Sequence, residues 1–260
     1  MAPIMEPFSL KGRRAVITGG SRGIGGAVTL LLARAGADVC IGYHARAKDA
    51  EALAARCLQL GANSTQHASD VSTPLGAQSL IAHAVKTFGG LDILVHSAGI
   101  WPVEESPVSA MQDDRWANTM RQNIDAMFFV SREAAKAMEG NADGGRIVLV
   151  ASTAGQRGEA MHADYAASKG AMIAFVKSMA VELAPKGITV NSIAPGWVDT
   201  EMCAEPFANG GRERIAKGIP VGRIASAADI AFPIVSLCFD GARHVTGEIV
   251  NVNGGSVLCG

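Results

Sequence analysis

Six runs of apolar and β-branched residues, separated by stretches of helical periodicity, constrain this chain more than any other feature of its sequence. RRAVIT (13–18), ADVCIGY (37–43), LDILVHSAG (91–99), GRIVLVAS (145–152), GITVNSIAPG (187–196) and GEIVNVNGG (247–255) are usually opened or closed by glycine. They lack the apolar-polar alternation of a half-exposed strand, so they read as strands buried on both faces. Between them, AVTLLLARAGA, AKDAEALAARCLQLG, AQSLIAHAVKTFGG and RWANTMRQNIDAMFFVSREAAKAM repeat apolar residues at helical spacing. Strand and helix in alternation imply an α/β fold with a parallel sheet, helices on both faces, right-handed crossovers and ligand sites at the C-terminal strand ends.

No linker or internal repeat divides the sequence, so residues 1–260 read as one domain. The least regular part, 197–218, carries Pro206 and Gly210-Gly211; it reads either as a mobile flap over a ligand or as a plain surface excursion. Pro233 lies inside the helical run ADIAFPIVSLCF, where an interior proline costs ~3 kcal/mol and is expected to kink the helix or move its start.

Composition excludes several classes of function. The formal net charge is −1 and the basic residues form no long run, so the electrostatic footprint of a nucleic-acid binder is missing and a small molecule is the expected partner. Five cysteines (Cys40, Cys57, Cys203, Cys238, Cys259) are odd in number, widely separated and contain no C-x-x-C. They argue against a disulfide framework and a zinc site, and read as reduced core residues with Cys259 an exposed terminal thiol. No metal site is implied. The N-terminus has no basic segment followed by an apolar run, and nowhere do 18 apolar residues follow one another; the chain reads as cytoplasmic, with no membrane partner.

Two motifs carry chemistry. In RRAVITGGSRGIGGAVTLLLARAG a strand, a Gly-rich turn and a helix start follow one another, with Gly19, Gly23 and Gly25 spaced G-x-x-x-G-x-G. Glycines there let the backbone approach a pyrophosphate at a helix N-terminus. In ADYAASKGAMIAFVKSMAVELA, Tyr165 and Lys169 stand four apart on one helical face. Ionising a free Tyr at neutral pH costs roughly 4 kcal/mol, and an ammonium about 4 Å away supplies a term of similar size at an effective dielectric near 20. The pair therefore reads as a general acid/base; an ordinary solvated ion-and-hydroxyl pair is the alternative that the rest of the chain must decide.

TGGSRGIG (18–25), Asp70-Val71, His96-Ser97-Ala98-Gly99, Asn123, Ser152, Tyr165-x-x-x-Lys169 and Pro195-Gly196 followed by Thr200 resemble, in order and spacing, the short-chain dehydrogenase/reductase family over roughly residues 8–255. The resemblance is closest to the 3-oxoacyl-carrier-protein reductase type and its sugar or secondary-alcohol relatives. It implies one doubly wound Rossmann domain with seven parallel strands ordered 3-2-1-4-5-6-7. It also implies that Ser152 holds the substrate oxygen, that Tyr165 exchanges its proton, that Lys169 binds the nicotinamide ribose and depresses the Tyr pKa, and that Asn123 anchors a water in a proton relay. Cofactor contacts are expected from Gly19, Ser21, Arg22, Gly23, Ile24, Gly25, Tyr43, His44, Asp70, Val71, His96, Ala98, Gly99, Pro195, Gly196, Val198 and Thr200, besides Tyr165 and Lys169. His96 stands where the family has Asn, and a structural role is expected of it.

Cofactor choice turns on charge at the end of the second strand, where NAD-preferring relatives place an acid that bonds the ribose 2′-OH. Here that position is Tyr43, followed by His44 and Arg46, with Arg22 in the turn; NADP(H) is expected over NAD(H). Trp101, Met161, Trp197 and Met202 are expected to wall an apolar substrate pocket, with Gln156, Glu159 and His162 as polar contacts. The expected activity is hydride transfer between nicotinamide and a carbonyl or secondary alcohol. An NAD-dependent sugar or polyol dehydrogenase and a catalytically silent nucleotide-binding module are the alternatives. Val181 stands where carrier-protein reductases often have Arg, which weakens an acyl carrier protein as partner, and the family implies a homotetramer.

Overall fold

The computed structural model of the chain describes residues 8–259. Seven parallel strands form one sheet: β1 (Arg14–Thr18), β2 (Asp38–Tyr43), β3 (Ser64–Ala68), β4 (Ile93–His96), β5 (Gly145–Val150), β6 (Ile188–Pro195) and β7 (Ile249–Val252). Their order is β3-β2-β1-β4-β5-β6-β7, as the family resemblance implied. Register is set strand by strand, with Thr18 opposite both Gly42 and His96, so the C-terminal ends of β1, β2 and β4 lie level.

Side chains alternate between the two faces of the sheet, and two apolar layers follow from that period of two. Ile17, Val39, Ile93, Val95, Val148 and Ile193 pack on one face against α1 (Gly23–Arg34) and α10 (Ala227–Ser236). Val16, Cys40, Leu94, Ile147, Leu149 and Val190 pack on the other against α3 (Pro74–Phe88), α5 (Ala126–Met138) and α7 (Ala163–Leu183). β4, β5 and β6 are buried along their whole length. Each fully buried Leu, Ile or Val side chain there contributes about 1.5–3 kcal/mol. No described helix is long and apolar enough to cross a membrane.

Three details differ from the sequence expectations. The run read as a single helix over 115–138 is α4 (Asp113–Met120) joined to α5 through one π-helical segment, Arg121–Asp125. Pro233 does not move the start of α10: a capping box of Ser226 and Asp229 fixes it, and the helix runs through Pro233 to Ser236. Segment 197–218 is more regular than expected, with a 3-10 turn (Glu201–Cys203), α8 (Ala204–Phe207) and α9 (Gly211–Lys217).

Between β5 and α7 lies the short helix α6 (Ala154–Arg157), pressed against the backbone of Lys169 and Gly170. A Cβ on Gly155 would stand 2.5 Å from the Lys169 carbonyl carbon, closer than packed atoms tolerate. Gly155→Ala is expected to destabilise the fold by about 1–3 kcal/mol and to lower the melting temperature, whereas Gly241→Ala, with nothing within 4 Å of its Cβ position, is expected to leave it unchanged. Equal melting temperatures for the two variants contradict this packing account.

Candidate active site

The C-terminal strand ends open on two cavities that meet at Gly99 and Ile100. The smaller, of about 310 Å³, lies over β1, β2 and β4 and is lined by Thr18, Gly19, Ser21, Arg22, Tyr43, His44, Arg46, Asp70, Val71 and Ala98 among others. Local geometry explains why this turn is glycine-rich. Gly19 takes φ 61° and its Cβ would stand 3.0 Å from the Ala98 nitrogen; a Cβ on Gly25 would meet the Gly19 carbonyl oxygen at 2.2 Å. Thr18 Oγ1 accepts from the Ser97 and Ala98 N–H groups at 3.1 and 3.2 Å, tying the turn to the end of β4. Arg22, the N-cap residue of α1, makes no side-chain cap, and the first turn of α1 has no acid. Free N–H groups and a backbone surface bare of Cβ atoms fit a dinucleotide pyrophosphate.

The larger cavity, of about 470 Å³, takes Ser152, Tyr165 and Lys169 into its wall, together with Ile24, Pro195, Gly196, Val198 and Thr200. Ser152 follows β5, and its Oγ accepts from the Ala154 N–H at 3.1 Å. Tyr165 and Lys169 lie on α7. Asp164, fully buried beside them, is held by Arg115 from α4 (Nε to Oδ2 3.0 Å) and by Thr119 Oγ1 (2.8 Å). Burial would raise the Asp164 pKa, but Arg115 and Thr119 overcome it and keep the group a carboxylate. This ion pair fixes the start of the helix that carries Tyr165; the sequence analysis missed it.

Lys169 Nζ stands 5.7 Å from the centre of the Tyr165 ring and donates to the Val150 carbonyl at 2.7 Å. Burial lowers its pKa to about 8. Burial raises the Tyr165 pKa above its ordinary value, with the Ser152 hydroxyl offsetting part of the rise and Glu159 adding to it. In this state the phenol is held protonated, contrary to the depression expected from sequence.

Asn123 sits in the π-helical segment between α4 and α5, fully buried. Its Oδ1 accepts from the Ile100 N–H at 2.8 Å, and its Nδ2 donates to the Ile100 carbonyl at 3.0 Å and to Ser168 Oγ at 2.9 Å. A Cβ on Gly99 would lie 3.0 Å from Asn123 Oδ1 and 3.7 Å from Lys169 Nζ, so both groups border one spot. The side chain therefore braces the loop after β4. His96 lines neither cavity and is withdrawn as a cofactor contact: it is buried in β4, with Nδ1 2.9 Å from Thr18 Oγ1. Burial, with Lys169 nearby, lowers its pKa to about 3, so the ring is neutral.

Of the expected substrate residues, Trp101, Trp197, Met202 and Glu159 line the larger cavity; Met161, Gln156 and His162 do not. Met161 is exposed at φ 67°, Gln156 donates to Asn251 Oδ1 at 2.6 Å, and His162 stacks behind Trp101 at 4.6 Å. Glu159 accepts from Trp101 Nε1 at 3.3 Å, and its burial raises its pKa. Cys203, Arg214, Ile215, Ile219 and Val257, none of them named among the expected substrate residues, also line this cavity. Arg22 and Arg46, expected to face a phosphate, both donate to Glu201.

A family model described as enoyl-(acyl carrier protein) reductase matches residues 19–256. The 3-oxoacyl-(acyl-carrier-protein) reductases of Salmonella typhimurium and Escherichia coli K12 are each 36% identical over 251 residues, covering 96% of this chain and 100% of theirs. Among solved structures, a short-chain dehydrogenase/reductase from Serratia marcescens BCRC 10948 is 35% identical with a TM-score of 0.88, covering 96% of this chain and 99% of its own. A putative short-chain alcohol dehydrogenase from Sinorhizobium meliloti 1021 is 32% identical with a TM-score of 0.90, covering 96% and 98%. With this sheet order, this turn and this cluster of Ser152, Tyr165 and Lys169, the chain belongs to the short-chain dehydrogenase/reductase family and is an NAD(P)-dependent oxidoreductase acting on CH–OH and C=O groups.

Proposed function

We propose that this protein is an NADP(H)-dependent carbonyl reductase whose catalytic residues are Ser152, Tyr165 and Lys169, with Asn123 holding the loop beside them. One observation carries the reading: all three side chains face the cavity that joins the nucleotide-side cavity at Gly99 and Ile100. A bound nicotinamide would supply or accept the hydride there. Ser152 Oγ is placed to hold a substrate oxygen beside the Tyr165 hydroxyl. Because burial keeps that phenol protonated, the resting protein is poised to give a proton to a developing alkoxide, which favours reduction. The phenolate that remains lies beside the Lys169 ammonium, whose Nζ is 5.7 Å from the ring centre, and the opposite charges attract.

NADP(H) is favoured by the residues around the expected ribose position. Tyr43 ends β2 where an acid would select NAD(H), and Arg22, His44 and Arg46 line the same cavity. The described residues suit one domain, with the substrate loop at about 197–218, that holds the whole site. Residues exposed on α4, α5, α7 and α10 (Trp116, Phe128, Val181, Phe232) suit a homotetramer, to be checked by light scattering. Five free thiols suit the cytoplasm. β-Ketoacyl thioesters are the first substrates to assay, given the names of the relatives. A docked acyl carrier protein draws less support, because Arg132 and Lys136 both pair with Glu133.

Tyr165→Phe is expected to lower kcat by about 10²–10⁴-fold and to leave cofactor affinity within twofold; full activity contradicts the assignment. Phenolate absorbance in the cofactor-free protein, taken as wild type minus Tyr165→Phe, is expected to show no ionisation of Tyr165 below about pH 10, and a step near neutrality refutes the burial argument. Lys169 loses its charge as pH rises through about 8. The kcat/KM for the reduced cofactor, which reports ionisations of the free enzyme, is therefore expected to fall above that pH; a flat profile through pH 9 contradicts it. NADPH is expected to exceed NADH in kcat/KM by tenfold or more, equivalent to about 1.4 kcal/mol, and the reverse preference overturns the cofactor assignment.

A further inference from the structure

Glu201 is the first residue past Thr200, where the chain leaves the β6 end and enters the flap. Its carboxylate meets two arginines that line the nucleotide-side cavity. One oxygen, Oε2, accepts from Arg22 Nη1 and from Arg46 Nη2, the latter at 2.7 Å. Arg22 belongs to the turn after β1, and Arg46 to the segment after β2; the three residues meet only because the strand ends lie level. Thr200 sits beneath, its methyl 3.5 Å from where a Cβ on Gly23 would be.

Charge decides what this contact means. Arg46 Nη1 also lies 3.7 Å from Asp49 Oδ2, so with Glu201 seated two guanidinium charges are matched by two carboxylates. A cofactor 2′-phosphate carries close to two negative charges and seeks the same guanidinium groups; it meets a cluster of zero net charge in which Glu201 Oε2 already holds one N–H of each arginine. Lifting Glu201 restores one net positive charge and releases the N–H groups it held, with Arg46 still beside Asp49. A cofactor with a 2′-hydroxyl has no charge to place there and needs no displacement. All three side chains are about half exposed, and pairs this exposed exchange readily.

We propose that Glu201 is a specificity-determining residue that holds, from within the chain, the anion position of the NADP(H) 2′-phosphate, so that only the phosphorylated cofactor must displace it. The proposal rests on the NADP(H) reading given above. It makes Glu201 a brake on NADP(H) affinity and ties arrival of the 2′-phosphate to release of the first residue of the flap.

Calorimetric titration of the cofactor-free enzyme with NADP+, NAD+ and 2′,5′-ADP tests this directly, in wild type, Glu201→Gln and the R22Q/R46Q double variant. Glu201→Gln is expected to bind NADP+ and 2′,5′-ADP about three- to tenfold more tightly than wild type, with NAD+ within twofold and the melting temperature unchanged. If Glu201→Gln binds NADP+ no more tightly while R22Q/R46Q weakens it, the NADP(H) reading stands and the role of Glu201 is overturned. Equal tightening for NADP+ and NAD+ also overturns it, since Glu201 then acts only as a flap brace. If R22Q/R46Q leaves NADP+ affinity unchanged, the arginines are not the phosphate site and both readings fall.

Discussion

The buried ammonium of Lys169 sets the terms for the residues around it. An ion taken out of water is costly unless dipoles or charges hold it, and here the Val150 carbonyl does so at 2.7 Å from the end of β5. That bond requires α7 to lie close over the strand end, which in turn requires α6 to pass α7 with no side chain at Gly155. The same charge bears on its neighbours. It adds to the burial that keeps His96 neutral inside β4, so the site holds one buried cation and not two.

Around this charge, strand ends and helix starts divide the labour. The bare glycine turn after β1 leaves N–H groups for an anionic cofactor. The apolar walls from Trp101, Trp197 and Met202 shape the larger cavity. The phenol of Tyr165 sits between, raised in pKa by burial and near enough to Lys169 to be stabilised once it ionises. Helix α7 carries both groups, and the Arg115–Asp164 pair fixes its start.

What the sequence made legible was local or buried on both faces. β1, β2, β4, β5 and β6 announce themselves as apolar runs because helices cover both sides of them. β3 was found only through the family resemblance: STQHA is polar, lies at the sheet edge and is only partly buried. Tyr165 and Lys169 were legible because four residues is one helical turn; that the lysine stem runs on to the Val150 carbonyl was not. Pairs remote in sequence, Arg115 with Asp164 and Glu201 with Arg22 and Arg46, leave no local trace. Loop 153–162 misled for another reason: Met161 at positive φ turns outward, and His162 is drawn under Trp101, neither of which follows from periodicity.

The roles proposed for Ser152, Tyr165 and Lys169 require a direct hydride transfer between nicotinamide and a carbonyl carbon. Reduction of any ketone turned over in an absorbance screen, run in ordinary water with reduced cofactor deuterated at the transferring C4 position, tests it by mass spectrometry of the alcohol. One deuterium on the carbinol carbon is expected. An alcohol that carries only solvent hydrogen at that carbon contradicts it.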